Sequence, residues 1–454
     1  MGSTVNVLSF MLDPVNANKK MAGGLNATRN FVERARRLGY DIKWYCVTPA
    51  QHRTSKYATP DYCDVVTIDD IEEGWKPRDS DKTIVYAGCW VPEISAWKTY
   101  EEAPSYIDDA VQRQMDILNS IENPKTMVNI SHRLARAERN IWKTHPELVD
   151  PYDDLVTFGP GDEIIKLYDK IDDPLHNRLR PKVRYVQHNN MMSLDRPEWK
   201  APNEKFLRQF YWQGRGDSTW KGWRNWIDFK NRAHDHGIDI NVLFNGIPST
   251  MGCLSQLAVS TKPTVLLPYI EWEKRDFKKI EFSEEIEDKT RIYGSYLRDA
   301  GLELINQAGF AMYTTTLPAS MRVWPEYVTL ECIQQGTILS VPADYFDSNG
   351  VFPNGDPEEL GLLPLPVVRE EQSSNAKSKG PQVGGLFPSL MEQQRTVEFI
   401  PEEQEWGRFK ELYLRISTDP EFYEAWRERA WDVHIGSVDW DGKVRMVIDG
   451  GSEI

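Results

Sequence analysis

The chain has 454 residues, 40% of them hydrophobic and 27% charged, with a formal net charge of −15. This length predicts two or three domains, and the composition is that of a globular protein. No apolar run reaches the ~18 residues of a transmembrane helix, so no membrane partner is expected. The negative charge argues against nonspecific binding of nucleic acid, although a local basic surface on an acidic body stays open.

The cysteines and histidines give no sequence signature of a metal site. Five cysteines are scattered without a CxxC pair, which favours reduced thiols in the cytoplasm over a disulfide framework or a zinc knuckle. His234 and His236 stand close together without a third ligand nearby, so we interpret them as a polar turn after a helix. The N-terminal segment lacks the basic and long apolar stretches of a signal peptide, which also favours the cytoplasm.

The first elements in chain order form a predicted β–α–β unit. The segment VNVLSFMLDP predicts a short strand. Apolar residues then recur at helical spacing up to Gly39, a predicted helix C-cap, and DIKWYCV predicts a second strand. This order indicates a parallel sheet. Gly23 and Gly24 let backbone amides at the helix N-terminus approach a ligand, but the pair alone favours an ordinary strand–helix turn.

Four more buried strands are predicted in this half of the chain, in KTIVYAG, KTMVNISH, DLVTFG and VRYVQHNN. Each of these segments ends in a small or polar residue. Ligands of open parallel sheets bind at the carboxyl ends of the strands, so these terminal residues are candidates for a binding site.

A second α/β unit is predicted after about residue 204. Its segments are the strand in RQFYWQGR, the helix WRNWIDFKNRAHDHG, the strands DINVLFNG and PTVLLPYI, the helix LRDAGLELINQAGF and the helix–strand segment PEYVTLECIQQGTILSVP. We therefore predict an α/β protein with two doubly wound, Rossmann-like domains, over 1–204 and 205–400, that face each other across a cleft.

The rest of the chain predicts an insertion and a helical C-terminus. Residues 344–394 are rich in Gly, Pro, Ser, Asn and charge, so we expect a flexible insertion without regular elements there. Within it, Glu371–Gly384 is interpreted as a mobile loop or disordered segment. Residues 401–454 contain two amphipathic helices separated by STDP, followed by a tail.

The stretch WQGRGDSTWKGW contains two cations among glycines and tryptophans. Arg215 follows a predicted strand end at Gly214, and Lys221 opens a predicted helix. A guanidinium, an ammonium and a helix N-terminus around one point suit a diphosphate, which needs several donors at once. Two surface cations at a domain entrance are the alternative for this stretch alone.

The stretch PEYVTLECIQQGT offers two carboxylates, Glu326 and Glu331, at the start of a helix that ends near Gly336. A carboxylate can accept hydrogen bonds from both hydroxyls of a ribose. The alternative is a solvated helix face. Glu331 argues against it, because it lies between Leu330 and Ile333 in an apolar setting where a carboxylate needs a partner.

These features in this order resemble the retaining glycosyltransferases of the GT-B type, which have two Rossmann-like domains and use nucleotide-sugar donors. The DNA alpha-glucosyltransferases of T-even bacteriophages, which glucosylate 5-hydroxymethylcytosine in duplex DNA, are a closer likeness. The likeness covers most of the chain, and STWKG and EYVTLE are its most specific pieces. Its other segments are the N-terminal strand–Gly loop–helix, VNISHRLARAERN, DLVTFGPGDEIIKLYDK, IYGSYLRDAGLELINQAGFAMYTTTLP and the terminal helix pair.

The resemblance implies a donor site and an overall arrangement. Arg215 and Lys221 are expected to clamp the donor diphosphate and to stabilise its charge as it leaves. Glu331 is expected to bind the ribose with Glu326 close by, and the Gly23–Gly24 turn to face the donor phosphates. The resemblance also implies that the C-terminal helices pack back on the N-terminal domain.

The reacting sugar is expected close to His132, at the end of VNISH, which the resemblance makes a catalytic residue. The phage enzymes have an Asp after this histidine as a possible acid or base, whereas this chain has Arg133. The general base therefore stays unassigned. The resemblance implies a UDP-sugar donor substrate, no further cofactor and no metal.

The acceptor is expected to be hydroxymethylated duplex DNA, bound through Arg133, Arg136 and Arg139 of the first domain, in the cytoplasm of an infected host. Ordinary solvated charges are the alternative interpretation of these arginines.

Two other functions stay open. One is a glycosyltransferase with a polysaccharide, lipid-linked or small-molecule acceptor, which the negative charge favours. The other is an inactive relative that binds nucleotide sugar or DNA, which the presence of Arg133 favours.

Overall fold

The protein is represented by a computed structural model. It describes residues 3–10, 23–47, 61–86, 104–128, 146–157, 178, 180–186, 195–213, 229–230, 232–245, 291–293, 298–313, 327–343, 355–366 and 403–451. These residues fall into two compact units. Unit 1 comprises those within Met1–Leu194 and Asp439–Ile454, and unit 2 those within Asp195–Gly380 and Phe387–Val438. No helix in the described ranges is long and apolar enough to cross a membrane.

Unit 1 is built on a parallel sheet of seven strands in the order β3-β2-β1-β4-β5-β6-β7. The order reverses between β1 and β4, which makes this the switch point of a doubly wound sheet. The strands are β1 Thr4–Phe10, β2 Asp41–Val47, β3 Cys63–Val66, β4 Lys82–Tyr86, β5 Lys125–Val128, β6 Asp154–Thr157 and β7 Val183–Tyr185.

Three helices of unit 1 follow these strands, α1 Gly23–Arg37, α2 Ile68–Glu72 and α3 Pro104–Asn119. The predicted C-cap of α1 is confirmed. Gly39 has a φ of 92°, which glycine adopts most easily. Its N–H donates to the carbonyl of Arg36, and the N–H of Tyr40 donates to that of Ala35, so the last carbonyls of the helix are satisfied.

Unit 2 is built on a parallel sheet of six strands in the order β10-β9-β8-β11-β12-β13. This repeats the strand order of unit 1, with the switch point between β8 and β11, where Phe210 pairs with Phe310. Two Rossmann-like sheets confirm the predicted α/β class. The strands are β8 Phe206–Gln213, β9 Asn241–Asn245, β10 Arg291–Tyr293, β11 Ala308–Met312, β12 Ile338–Pro342 and β13 Leu363–Leu365.

The helices of unit 2 enclose an aromatic core. Phe210 stacks on Phe310 with ring centroids 4.8 Å apart, and Phe229 stacks on Trp406 at 5.5 Å. Stacked aromatic pairs of this kind add to the hydrophobic burial that drives the fold. The helices are α4 Arg298–Gln307, α5 Tyr327–Gln334, α6 Pro357–Leu360, α7 Glu403–Thr418 and α8 Pro420–Trp431. The predicted helix pair of the C-terminal region is thus confirmed as α7 and α8.

The expected packing of the C-terminal helices on the N-terminal domain is found for the last helix, α9 Trp440–Asp449, which belongs to unit 1, whereas α7 and α8 belong to unit 2. Cations of the unit 1 sheet dock the C-terminal end of α9. Arg184 donates to the carbonyl of Met446 at 2.9 Å, and Lys82 donates to that of Ile448 at 2.8 Å. Positive charge at this end of a helix also offsets its dipole.

The structure corrects the predicted helix LRDAGLELINQAGF. The helix ends at Gln307, and Ala308–Met312 forms β11, a central strand of the sheet. The reason is a close approach of β11 to β8. A Cβ at Gly309 would lie 2.7 Å from the Cα of Leu207, so only glycine fits there.

Part of the predicted irregular insertion is regular as well. Helix α6 and strand β13 lie within 344–394, and β13 forms an edge of the unit 2 sheet. Asp356 caps α6 by accepting a hydrogen bond from the N–H of Glu358. The predicted mobile segment Glu371–Gly384 and the predicted strand PTVLLPYI lie outside the described residues.

Candidate functional site

The candidate site of unit 2 is the carboxyl edge of its sheet at the switch point. Strand β8 ends at Gln213, and its neighbour β11 ends at Met312. The segment with Arg215 and Lys221 continues from Gln213, so it starts at the edge where ligands of doubly wound sheets bind. Arg215 and Lys221 themselves lie outside the described residues.

Helix α5 runs from this edge to the opposite one, because it connects two parallel neighbouring strands, β11 and β12. Glu331 lies in the second turn of α5. The other predicted carboxylate, Glu326, precedes the helix and lies outside the described residues. The topology thus brings the helix that carries Glu331 to the edge where the Arg215 segment begins.

Glu331 is buried, with 1% of its surface exposed, between Leu330 and Ile333, which are also buried. Burial of this position was predicted and is confirmed. Carboxylates are rarely buried to this extent in proteins. Burial raises the pKa of the neighbouring Cys332 thiol, and the negative charge of Glu331 raises it further. Helix α5 therefore places a carboxyl group in an apolar setting.

Unit 2 also contains a buried cation that has no signal in the sequence, Lys205. It is buried with 4% exposure, and burial lowers the pKa of its ammonium well below the usual range. Its Nζ donates to the carbonyls of Asn306 at 2.6 Å and Ala308 at 3.4 Å. Lys205 precedes β8, at the edge opposite the candidate site, so it joins α4, β8 and β11 rather than contacting a ligand.

The C-terminal end of α5 is fixed as predicted near Gly336. This glycine has a φ of 64°, and its N–H donates to the carbonyl of Ile333 at 3.0 Å. The N–H of Thr337 donates to the carbonyl of Cys332 at 3.1 Å. These two bonds form a Schellman motif, which sets where the helix stops and therefore where Glu331 stands.

In unit 1, Gly23 and Gly24 are the first two residues of α1, which follows β1 at the switch point. The N-terminus of α1 thus lies at the carboxyl edge of that sheet, where free backbone N–H groups suit an anion. Strand β5 ends at Val128, so the chain towards His132 also starts at this edge. His132 and the predicted acceptor residues Arg133, Arg136 and Arg139 lie outside the described residues.

One histidine of the predicted pair, His236, lies in a turn as expected, whereas His234 lies in the helical segment before it. His234 and His236 end a helical segment before Gly237, and the His236 ring stacks on Trp406 at 4.7 Å. Within the described residues, no group of three His, Cys, Asp or Glu side chains is placed to hold a metal ion. Of the side chains predicted to bind the donor from unit 2, the structure describes that of Glu331.

Comparisons with known proteins identify the fold. No protein-family model matches the chain, and no curated protein matches it. Among solved structures, the chain is similar to an alpha-glucosyltransferase in complex with UDP, with a TM-score of 0.65 and 14% identity over 98% of this chain and 100% of that one.

Two other structures of an alpha-glucosyltransferase contain DNA. One is a complex with UDP and a 13-mer DNA containing a HMU base, with a TM-score of 0.64 and 14% identity over 99% of each chain. The other is a complex with UDP-glucose and DNA containing an abasic site, with a TM-score of 0.61 and 14% identity over 99% of this chain and 100% of that one. The chain has two Rossmann-like units, and its likeness to these structures extends over their full length. The chain therefore has the GT-B fold.

Proposed function

We propose that the protein is a retaining glycosyltransferase that moves a sugar, glucose or a pentose such as arabinose, from a UDP-sugar to 5-hydroxymethylcytosine in bacteriophage DNA. The full-length likeness to an alpha-glucosyltransferase in complex with UDP carries this proposal. The likeness spans both units, so it extends beyond a single nucleotide-binding domain to the whole two-domain arrangement of such an enzyme.

The donor is proposed to bind at the carboxyl edge of the unit 2 sheet. Glu331 accepts hydrogen bonds from the ribose hydroxyls, and its burial strengthens such bonds because little water competes there. Arg215 and Lys221 bind the diphosphate, with Glu326 close by. The Gly23–Gly24 turn at the start of α1 faces the phosphates from unit 1.

Catalysis is proposed to rest on charge stabilisation. The bond between the sugar C1 and the diphosphate oxygen breaks, a bond from C1 to the hydroxymethyl oxygen forms, and the hydroxyl proton is released. The leaving diphosphate gains negative charge, which Arg215 and Lys221 offset without a metal. His132 lies near the reacting sugar in this scheme, and Arg133 stands where the phage enzymes have an Asp.

The acceptor is proposed to be duplex DNA. Two of the similar alpha-glucosyltransferase structures contain DNA. An enzyme that modifies a base inside a duplex must flip that base out of the stack while binding the backbone phosphates. Arg133, Arg136 and Arg139 supply the local positive charge that the chain as a whole lacks. The reaction would take place in the cytoplasm of the infected host.

Two alternatives have observations in their favour. The net charge of −15 favours a glycosyltransferase with an acceptor other than DNA, such as a polysaccharide or a small molecule. The presence of Arg133 in place of an Asp favours an inactive relative that only binds its ligands.

Release of UDP from UDP-glucose and from a UDP-pentose distinguishes the three. The proposal predicts release that hydroxymethylated DNA stimulates and unmodified DNA does not. Release without any effect of DNA indicates another acceptor. Binding of UDP without release from any donor, under conditions where the protein is folded, indicates an inactive relative and contradicts the proposal.

A further inference from the structure

The C-terminal end of α5 is fixed by a segment that enters unit 2, Asp195–Lys200, which we call the entry segment. The indole Nε1 of Trp199 donates a hydrogen bond of 2.8 Å to the main-chain carbonyl of Gln334, the last residue of α5. In return, the side-chain amide of Gln334 donates to the carbonyl of Asp195 at 3.3 Å. The entry segment and α5 are thus joined by bonds in both directions.

The Trp199 ring also packs against the turn that ends α5. A Cβ at Gly336 would lie 2.5 Å from the Cδ2 of Trp199, far inside the contact distance of two carbon atoms. The indole therefore occupies the space beside Gly336, and the Schellman turn cannot shift towards it. Both the polar and the apolar part of Trp199 hold the same end of α5.

Trp199 itself has little freedom. The guanidinium of Arg196 lies 3.6 Å from the centroid of its ring, and that of Arg427 lies 4.8 Å away. Trp431 packs edge-on against it at 6.0 Å. Arg196 is paired with Glu428, so the stacking cation is held in turn by α8. Cation–π contacts on one ring, together with an aromatic edge, fix the plane of the indole.

Helix α5 is short, which couples its two ends. It comprises Tyr327–Gln334, and Gln334 is three residues after Glu331, about 4.5 Å along the helix axis. A shift of the end held by Trp199 therefore moves Glu331 by a similar distance. Hydrogen bonds to a ligand lose much of their strength when the protein group is displaced by a fraction of an ångström.

We infer that Trp199 is a positioning residue for the donor: it sets the height and rotation of α5 so that the Glu331 carboxylate meets the ribose hydroxyls. This rests on the proposed function. Trp199 acts from the end of α5 that faces away from the carboxyl edge of the sheet, and it acts through the helix rather than by touching the nucleotide.

The test compares binding of UDP and of 2′-deoxy-UDP by calorimetry, because only a ribose contact distinguishes these two ligands. The wild type is expected to bind UDP about 10-fold or more tightly than 2′-deoxy-UDP, and Glu331→Gln to lose most of this preference. Trp199→Phe keeps a ring but removes the donor, and is expected to lower the preference about 3-fold or more. In the double variant, Trp199→Phe added to Glu331→Gln is expected to have no further effect on the preference, because Trp199 acts through Glu331.

Controls separate positioning from general destabilisation. Trp75→Phe makes the same change in unit 1, where Trp75 packs edge-on against Tyr45 at 5.3 Å, and is expected to leave the ratio unchanged. Gln334→Met removes the bond to Asp195 and is expected to lower the ratio like Trp199→Phe, which provides a second variant should the first fail to fold.

The inference is overturned if folded Trp199→Phe or Gln334→Met keeps the wild-type ratio while Glu331→Gln lowers it; the proposed function then still stands. If the wild type binds UDP and Glu331→Gln keeps the same preference for UDP over 2′-deoxy-UDP, the role of Glu331 is overturned, and this inference is overturned with it. A folded wild type that does not bind UDP overturns the proposed function as well.

Discussion

The phenol of Tyr423 donates a hydrogen bond of 2.7 Å to the main-chain carbonyl of Gly309. Tyr423 lies on α8 and is fully buried, and burial raises the pKa of its phenol, so the group stays protonated and acts as a donor. Gly309 lies in β11, next to β8 at the switch point. The pair therefore connects the C-terminal helices to the strand that leads to the candidate site.

Replacing this donor is expected to cost stability. Tyr423→Phe leaves the carbonyl of Gly309 without its 2.7 Å donor, which is expected to lower the free energy of unfolding by about 1–3 kcal/mol in urea titrations. Tyr413→Phe is the matched control, because the phenol of Tyr413 reaches the carbonyl of Leu207 only at 3.4 Å. A loss in Tyr413→Phe as large as in Tyr423→Phe would contradict this assignment.

The contact of β11 with β8 predicts a pair of opposite glycine effects. Gly309→Ala is expected to destabilise by about 1–3 kcal/mol, because the new methyl group would lie 2.7 Å from the Cα of Leu207. Gly407→Ala, within α7, meets no atom within 4 Å and is expected to stabilise by about 0.5–1 kcal/mol. Thermal unfolding of both variants checks the signs, and equal effects would disprove the close approach.

His434 predicts a pH dependence of stability. It is buried in the turn after α8, its Nε2 lies 3.0 Å from the carbonyl of Leu360, and burial lowers its pKa to about 4. The unfolded chain, with the ordinary value of 6.5, binds a proton that the folded chain excludes. Proton uptake therefore favours the unfolded chain. The folded protein is most stable above pH 6.5, where the histidine is neutral in both states, and it loses this stability as the pH falls towards 4.

The expected loss through His434 is about 3 kcal/mol between pH 7 and pH 4. Glutamine does not titrate in this range, so the difference in unfolding free energy between wild type and His434→Gln should shrink by this amount as the pH falls. A difference that stays constant from pH 7 to pH 4 would show that the histidine takes up its proton equally in both states.

Removing the proposed diphosphate cations is expected to slow transfer. Arg215→Ala and Lys221→Ala should each lower kcat about 10²–10³-fold, because the leaving diphosphate loses a charge-stabilising donor. Initial rates of UDP release measure this. Arg208→Ala is the control: Arg208 lies in the first half of β8 in an exposed ion pair with Asp239, and its loss should leave kcat unchanged. Equal rates for Arg215→Ala and wild type would remove Arg215 from the catalytic scheme.

Local sequence patterns predicted most elements of the fold. Short apolar runs bounded by polar residues identified β1, β2, β4 and β12, and a glycine at the right spacing identified the end of α1. Strand β11 follows α4 without a turn residue between them, so it has no signal of its own. Strand β13 contains a proline, which is usual only at sheet edges, and β13 is an edge strand.

Only the part of the candidate site that has a local sequence signal could be predicted. Glu331 shows itself in sequence as a carboxylate within an apolar helix, and the structure confirms its burial. Lys205 and Trp199 gave no comparable signal, because each contacts residues more than a hundred positions away in the chain. Such contacts follow from the sheet order, which local periodicity does not contain.

The mass added to DNA tests the central claim most directly. Duplex DNA containing 5-hydroxymethylcytosine is incubated with the protein and a mixture of UDP-sugars, digested to nucleosides and analysed by mass spectrometry, with unmodified DNA as the control. The account predicts that 5-hydroxymethyldeoxycytidine gains the mass of one hexosyl or pentosyl group and that deoxycytidine gains none. No mass gain from any donor, with folded protein that binds UDP, would contradict it.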